Sequence, residues 1–196
     1  MNKELLIIPD EDLKYGEFLN QELDQLTITN KSIDNSTFTK CNLKDSKFDN
    51  VLFSKITFLN CDLSNTTFNE CSFHNIIIDS SKLLGASFYN CRFTKVTIQN
   101  TNAKYLNIVD TKTKELSIID SDFSESTFFN TTLDKTSLLN VNFTKTEFSE
   151  MSLANLDVSK CNITNLRVAP RSIKGLKINS LQAIDLINIL DVKIVD

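Results

Sequence analysis

The sequence is poor in the residues that usually bend a chain or carry chemistry. Its 196 residues include three glycines, two prolines, one histidine and no tryptophan. It has no Gly-rich phosphate loop, no nucleophile elbow and no HExxH motif. The single histidine, His74, falls on an outward position of the pattern described below, and we expect it to be solvated. We therefore expect a protein that is not an enzyme and needs no cofactor, metal or small-molecule substrate.

Long apolar runs and extreme charge are also missing. No segment approaches the ~18 apolar residues of a membrane span. The first ten residues, with Glu4 and Asp10, make a poor signal peptide. A net charge of −4 and an apolar content of 41% suit a single soluble domain. We expect a cytoplasmic protein that makes no membrane contact.

What the sequence does contain is a repeat of five residues. Thirteen of the fourteen phenylalanines occupy one position of it, within an apolar series that runs from Leu13 to Ile178 with soft spots at Ala103 and Thr113. A second position, two residues earlier, holds small side chains and includes all five cysteines: Cys41, Cys61, Cys71, Cys91 and Cys161. We expect both positions to be buried.

A period of five fits neither a helix, with 3.6 residues per turn, nor a strand, which alternates every two residues. It fits a chain that turns a corner every five residues. Four sides make a coil of about twenty residues, and stacked coils pair through their backbones at a spacing of roughly 4.8 Å. Every twentieth residue then forms a column of like side chains, as in Ile28, Phe48, Phe68, Phe88. The sequence thus predicts an all-β solenoid with an apolar core.

Asparagine recurs at the corner position and explains how so few glycines suffice. Its side chain bonds to nearby backbone and tolerates turn dihedral angles. The corner asparagines are Asn20, Asn30, Asn35, Asn50, Asn60, Asn65, Asn75, Asn90, Asn100, Asn130 and Asn140.

The cysteines are predicted to be reduced and structural. They fill the small inward position, so packing accounts for them without chemistry. Their odd number and parallel side-chain directions disfavour disulfides, although Cys41 and Cys61 lie on adjacent coils, as do Cys71 and Cys91. No histidine converges on them as a metal site would require.

The repeat resembles the pentapeptide-repeat family, whose consensus is A(D/N)LXX. Cys41-Asn42-Leu43-Lys44-Asp45, Cys61-Asp62-Leu63-Ser64-Asn65 and Cys71-Ser72-Phe73-His74-Asn75 match it closely. The resemblance implies a right-handed quadrilateral parallel β-helix, here of about eight coils. We divide the chain into an N-terminal cap (1–12), the solenoid (13–178) and a C-terminal module (179–196).

The C-terminal module differs from the repeats. Ser180 is predicted to cap a helix over about Leu181 to Leu190, followed by a short strand at Val192, Ile194 and Val195. The helix is apolar on most of its circumference, more than capping the last coil requires. We therefore expect a homodimer through an interface that comprises Leu181, Ile184, Leu186, Ile187 and Leu190.

Two adjacent sides of the predicted solenoid carry opposite charge. The acidic side, centred on Phe48, Phe68, Phe88 and Phe128, carries Asp49, Glu70, Asp110, Glu147 and Glu150 against Lys47 and Arg167. The basic side, centred on Phe53, Phe73 and Phe93, carries Lys14, Lys31, Lys55, Arg92, Lys95, Lys112, Lys114, Lys135, Arg171 and Lys174 against five acids.

The acidic side also carries an outward column of large side chains that the repeat does not need: Tyr89, Val109 and Phe129. Acids bracket the column at Glu70, Asp110 and Glu150. Exposed aromatics anchor protein interfaces and charge steers the encounter, so these six residues are the candidate partner-binding site. Equally, the column could serve only to stabilise neighbouring coils.

A narrower resemblance comes from the end of the repeats. Lys174-Gly175-Leu176-Lys177-Ile178, followed by Gln182-Ala183 and an apolar helix, is similar to the C-terminus of the Qnr-type quinolone-resistance proteins and their mycobacterial relatives. That resemblance implies a dimeric rod that mimics duplex DNA and binds DNA gyrase or topoisomerase IV. Many Qnr-type proteins carry loops that interrupt the repeat, whereas here only Thr101 to Glu115 could hide a bulge.

The leading hypothesis is a non-catalytic DNA mimic that binds a type II topoisomerase and reduces quinolone action. A variant of it is immunity to a gyrase-directed peptide toxin. The alternative from a different class is an interaction scaffold with an unrelated protein partner, since a fold alone does not give function. Direct nucleic-acid binding through the basic side is disfavoured, because few outward aromatics accompany those lysines.

Overall fold

The computed structural model describes residues 12–187 and 189. In chain order the strands are β1 (Leu13–Lys14), β2 (Glu17–Leu19), β3 (Thr27–Thr29), β4 (Ser32–Thr39), β5 (Lys47–Asp49), β6 (Leu52–Leu59), β7 (Thr67–Asn69), β8 (Ser72–Asp79), β9 (Ser87–Tyr89), β10 (Arg92–Gln99), β11 (Asn107–Val109), β12 (Lys112–Ile119), β13 (Thr127–Phe129), β14 (Thr132–Asp134), β15 (Ser137–Leu139), β16 (Glu147–Ser149) and β17 (Arg167–Val168). A 3-10 turn at Pro170–Ile173 and helix α1 (Gln182–Ile187) follow.

The strands form two parallel sheets in which each residue pairs with the residue twenty positions away. One sheet has the order β17-β16-β13-β11-β9-β7-β5-β3 and forms the acidic side. The other follows β1-β4-β6-β8-β10-β12-β14, with β2 and β15 attached, and covers the basic side and its neighbour. Single bridges such as Asn42 with Asp62 close the fourth side. The chain is therefore a four-sided parallel solenoid of about eight coils, as predicted.

The corners of most coils contain a residue in the left-handed region of φ. From Tyr15 to Asn155, each fifth residue has a positive φ, including all eleven asparagines named above. Left-handed backbone costs an L-residue roughly 1–2 kcal/mol and is best tolerated by asparagine and glycine. Lysine and glutamate also occupy corners, for example Lys55 (φ 54°) and Glu70 (φ 54°). The hydrogen bonds between coils therefore impose the corner geometry, whatever the side chain.

Gly85 is a corner at which the side chain of the coil below lies close to the glycine. Its φ is +65°, and a Cβ added there would lie 2.8 Å from the side-chain oxygen of Asn65 on the preceding coil. A side chain at this corner would therefore have to displace the flexible amide of Asn65.

The large inward side chains form the core that the repeat predicts. Those from Leu13 to Phe128 are all buried, and the soft spots Ala103 and Thr113 lie in regular coils without a bulge. Phe68 is central: its ring stacks on Phe48 (centroids 5.1 Å apart) and Phe88 (4.7 Å), and meets Phe53 and Phe73 edge-on. Phenylalanines therefore pack both along and across the solenoid axis.

The small inward side chains do more than fill space. Their hydroxyls donate to carbonyl oxygens of the preceding coil, as Thr66 does to Leu43 (2.9 Å) and Thr146 to Phe123 (2.7 Å). Several also accept from backbone amides, as Ser46 does from Leu26 (3.0 Å). Buried backbone groups left without partners are costly, so this position favours small polar side chains.

Within residues 12–187, no helix is long and apolar enough to cross a membrane. The predicted N-terminal cap and the predicted strand at Val192, Ile194 and Val195 lie outside the described residues, apart from Asp12. Asp12 accepts a hydrogen bond from the Ser32 amide at 2.8 Å.

Replacing Phe68 by alanine should destabilise the protein by about 3–5 kcal/mol, because four ring contacts are lost and the stacked coils cannot collapse around the cavity. Thermal or urea unfolding followed by circular dichroism measures the loss. Phe129→Ala is the matched control: its ring points outward, and we expect a change of about 1 kcal/mol or less. Equal losses for the two variants would show that the inward stack does not stabilise the coils.

Candidate partner-binding face

The outward column of the acidic side is continuous in the structure. Val109 pairs directly with Tyr89 on one neighbouring strand and with Phe129 on the other. Tyr89 is 38% exposed and Phe129 40%, while Val109 between them is half-buried. Three successive coils thus present one apolar ridge to solvent.

The flanking acids stand at corners, where the left-handed backbone directs them away from the coil. Glu70, Asp110 and Glu150 have φ values of 54°, 51° and 51°, and all three are exposed. Asp110 accepts a hydrogen bond from the side chain of Asn130 on the next coil (2.6 Å). That bond orients the carboxylate and leaves its charge in place.

Glu150 differs from the other two because it carries an ion pair. Both of its carboxylate oxygens accept from Arg171, at 2.9 and 3.0 Å. Within residues 12–187, neither Glu70 nor Asp110 has a lysine or arginine nitrogen within 4 Å. The uncompensated negative charge therefore lies beside Tyr89 and Val109 and not at the Glu150 end. Arg171 was assigned to the basic side from the sequence, and this contact was not predicted, although the two residues lie 21 positions apart, one more than the repeat of the coil.

On the basic side, one assignment made from the sequence was wrong. Lys31 is buried, with 9% of its surface exposed, because it occupies the small inward position and not an outward one. The remaining lysines and arginines of that side are exposed. His74 is exposed as well, and it lies on β8, where it pairs with Thr94 of β10.

The C-terminal helix is shorter than predicted and is capped by a different residue. Asn179, not Ser180, accepts from the amides of Leu181 and Gln182, both at 3.0 Å. The Gln182 side chain then donates to the carbonyl oxygens of Val158 (2.8 Å) and Cys161 (2.7 Å), which fixes the helix to the last coils. These bonds give hydrogen-bond partners both to the first amides of the helix and to two carbonyl oxygens of the solenoid.

The candidate dimer residues separate onto two faces of this helix. Leu181 and Ile184 are 78% and 59% exposed, Ile187 is half-buried, and Leu186 is buried in the core at 8% exposure. Leu190 lies outside the described residues. Leu186 therefore caps the solenoid, and only Leu181, Ile184 and part of Ile187 are exposed.

All five cysteines are free thiols. Cys61 is an example of a thiol at the small inward position that forms a hydrogen bond. Its Sγ donates to the carbonyl oxygen of Phe38 at 3.3 Å. Burial raises the pKa of this thiol to about 11, because the thiolate loses its hydration. The neutral, donating form is the one the fold holds.

The architecture matches that of known proteins. The family model for pentapeptide repeats matches residues 121–165, with eight copies of the repeat. Residues 121–165 therefore match the pentapeptide-repeat family, and the described chain is built as a β-solenoid. No curated protein sequence matches it significantly.

Two solved structures illustrate the likeness. A trypsin-treated variant of QnrB1, a plasmid-mediated fluoroquinolone resistance protein, has a TM-score of 0.57 at 15% identity, over 95% of this chain and 100% of that chain. HetL, a pentapeptide repeat protein involved in heterocyst differentiation regulation from the cyanobacterium Nostoc sp. strain PCC 7120, has a TM-score of 0.35 at 8% identity, over 85% of each chain. The chain shares the solenoid fold with QnrB1.

The raised pKa of Cys61 predicts how stability depends on pH. The unfolded thiol, with its ordinary pKa near 9.0, loses its proton before the folded one, with a pKa of about 11. The stabilising contribution is therefore complete below pH 9 and is lost as pH rises towards 11. Unfolding midpoints across this range should fall less steeply for Cys61→Ser, whose hydroxyl keeps the donor and does not titrate. Identical slopes for the two proteins would show that burial does not perturb this thiol.

Proposed function

We propose that this protein is a non-catalytic mimic of duplex DNA that docks on the DNA gate of DNA gyrase or topoisomerase IV and lowers quinolone action. The observation that carries the proposal is the ridge of Tyr89, Val109 and Phe129 on one side of the solenoid. Beside it lie the acids Glu70 and Asp110, which form no ion pair among the described residues. The fold shared with a fluoroquinolone resistance protein supports it.

The charge of the acidic side, compared with that of duplex DNA, indicates which part of this face would supply the binding energy. Eight coils span roughly 38 Å, and duplex DNA of that length carries about 22 negative charges at one per ~1.7 Å. The acidic side has an excess of only three acids over bases. Charge this sparse can steer the encounter but cannot replace the phosphates. The apolar ridge must therefore supply most of the affinity.

The small excess of negative charge also supports a second candidate function, which is an interaction scaffold for another protein. The basic side adjoins the acidic one across a single corner, where Arg171 meets Glu150. A scaffold contact made through the ridge alone would change little with added salt, whereas docking in a basic DNA-binding saddle would weaken steeply. Binding measured across a salt series distinguishes the two.

Substituting Phe129→Lys together with Asp110→Lys should abolish binding to a topoisomerase. The double variant removes the ridge's exposed ring and reverses the charge beside it, while both side chains stay outside the core. The measurement is the supercoiling activity of gyrase and its quinolone-induced DNA cleavage, with the purified protein titrated in. We expect relief of drug-induced cleavage by the native protein and none by the variant.

The matched control lies on another side of the solenoid. Tyr105 is 49% exposed and its hydroxyl donates to Glu125 at 3.3 Å, so Tyr105→Lys with Glu125→Lys makes the same chemical change away from the ridge. This control should behave as the native protein does. If the native protein has no effect on gyrase or topoisomerase IV, or if both variants act equally, the proposed docking face is wrong.

We further propose that the chain forms a homodimer through the exposed face of α1. Leu181 and Ile184 present apolar surface that the solenoid end leaves uncovered. Leu181→Glu with Ile184→Glu should therefore yield a monomer, as measured by light scattering coupled to size exclusion. Ser180→Glu with Asp185→Lys, two polar positions of the same segment, should leave the mass unchanged. A monomeric native protein would contradict the proposal.

A further inference from the structure

Outward side chains twenty positions apart lie side by side on neighbouring coils, so the register decides which charges meet. Among the pairs of described residues that strands and bridges bring opposite each other, six carry a charge on both coils. Five of the six combine a base with an acid, which stabilises neighbouring strands. These five pairs are Lys14 with Asp34, Asp62 with Lys82, Lys114 with Asp134, Glu147 with Arg167, and Asp157 with Lys177.

The sixth pair combines two positive charges. Arg92 on β10 lies opposite Lys112 on β12, with the two backbones about 4.8 Å apart. Both side chains are exposed. Neither forms an ion pair with any residue in the described part of the chain. The two cations therefore repel each other without a compensating acid.

The fold does not require this pair. The neighbouring coils carry Ser72 and Thr132 at the same outward position, and their strands pair equally regularly. Like charges directly opposite each other destabilise neighbouring strands, whereas glutamine would keep a similar stem without the repulsion. A departure from the rule that the other five pairs follow is expected at a functional site.

Further charges surround the pair. Lys114, two residues beyond Lys112, lies on the same outward face of β12, and Lys95 stands at the corner within β10. Both lysines are exposed. Acids appear only beyond them, with Asp134 opposite Lys114 and Glu115 at the next corner. The pair is thus the centre of a positive patch that has acids on one edge.

We propose that Arg92 and Lys112 bind a carboxylate of an acidic, extended segment of a partner protein. The planar guanidinium of Arg92 matches a carboxylate in bidentate geometry, and the ammonium of Lys112 adds a second positive charge. The bound carboxylate would place a negative charge between two positive ones. Repulsion within the protein would then become attraction to the partner.

The surrounding charges favour a polypeptide over a nucleic acid as the partner. A nucleic-acid strand carries a negative charge at every nucleotide and would be repelled by Glu115 and Asp134. A polypeptide can place neutral or basic side chains against those acids. Single-stranded nucleic acid also needs rings on which successive bases stack, and among the outward residues next to the pair only His74, diagonal to Arg92, has one.

This patch lies on a different side of the solenoid from the ridge of Tyr89, Val109 and Phe129. Binding of an acidic segment there requires no topoisomerase. The variants below leave the ridge unchanged, so failure of this inference is distinguishable from failure of the proposed function.

Thermal unfolding of the full-length protein tests the repulsion. At low salt, Lys112→Gln should raise the unfolding midpoint by about 1–3 °C, because Arg92 loses its like-charged neighbour. The matched control is Lys114→Gln on the same strand, which should not raise the midpoint, because Lys114 lies opposite Asp134. The gain for Lys112→Gln should disappear in about 0.5 M salt. A midpoint for Lys112→Gln that is equal to or below the native one at low salt would contradict the proposal.

Fluorescence anisotropy tests the binding itself. The probe is a labelled peptide of alternating glutamate and serine, roughly twelve residues long, which spans roughly 40 Å when extended. We expect the native protein to bind it at low salt and Arg92→Gln with Lys112→Gln to bind it at least about tenfold more weakly, since two charge-assisted contacts are lost.

The control for the binding assay removes the same number of charges elsewhere. Lys40→Gln with Lys145→Gln changes two exposed corner lysines on other sides and should leave the affinity within about twofold of the native value. Equal weakening by both double variants would show that net charge alone binds the peptide and would overturn the proposal. Tighter binding of a single-stranded oligothymidylate of equal length would overturn it in favour of a nucleic-acid surface.

Discussion

The structure depends on one interaction: the hydrogen bonding of each coil to the next in a register of twenty residues. This ladder imposes left-handed backbone at each corner from Tyr15 to Asn155, even where lysine or glutamate must adopt it. It also stacks like side chains over one another, so the ring of Phe68 lies parallel to those of Phe48 and Phe88. The small inward residues then satisfy those buried carbonyls and amides that the ladder leaves over. Core, corners and polar inward positions are thus consequences of a single constraint.

The same register organises the surface. Any outward residue has its neighbours twenty positions away, so a chemical feature repeated at that spacing becomes a ridge or a stripe. Tyr89, Val109 and Phe129 form a ridge for this reason, and Asn130 meets Asp110 for the same one. A protein built this way presents such a ridge on the outer surface of a sheet, where several coils can contact one large partner.

The ladder is also informative where it fails. The tight turns in residues 151–160 pair with the coil that follows them but not with strands β14 and β15 before them. This mismatch breaks the backbone ladder between those strands and residues 151–160. The C-terminal helix is anchored through Gln182 to the coil that causes the mismatch. The end of the solenoid therefore combines an open sheet edge at β14 and β15 with an exposed apolar helix face.

The sequence by itself determined the period, and with it the four-sided fold, the buried columns and the residues at the corners, because every repeat makes the same local choice. It did not determine features that depend on contacts between unlike segments. Lys31 was assigned to the surface although its slot points inward, and Ser180 was taken as the cap that Asn179 provides. Only the tertiary structure decided that Arg171 pairs with Glu150 and that Leu186 is buried. It also decided that the sheet ends at β14 and β15. Periodicity specifies how identical coils stack, whereas the end of the stack depends on how a coil meets something different from itself.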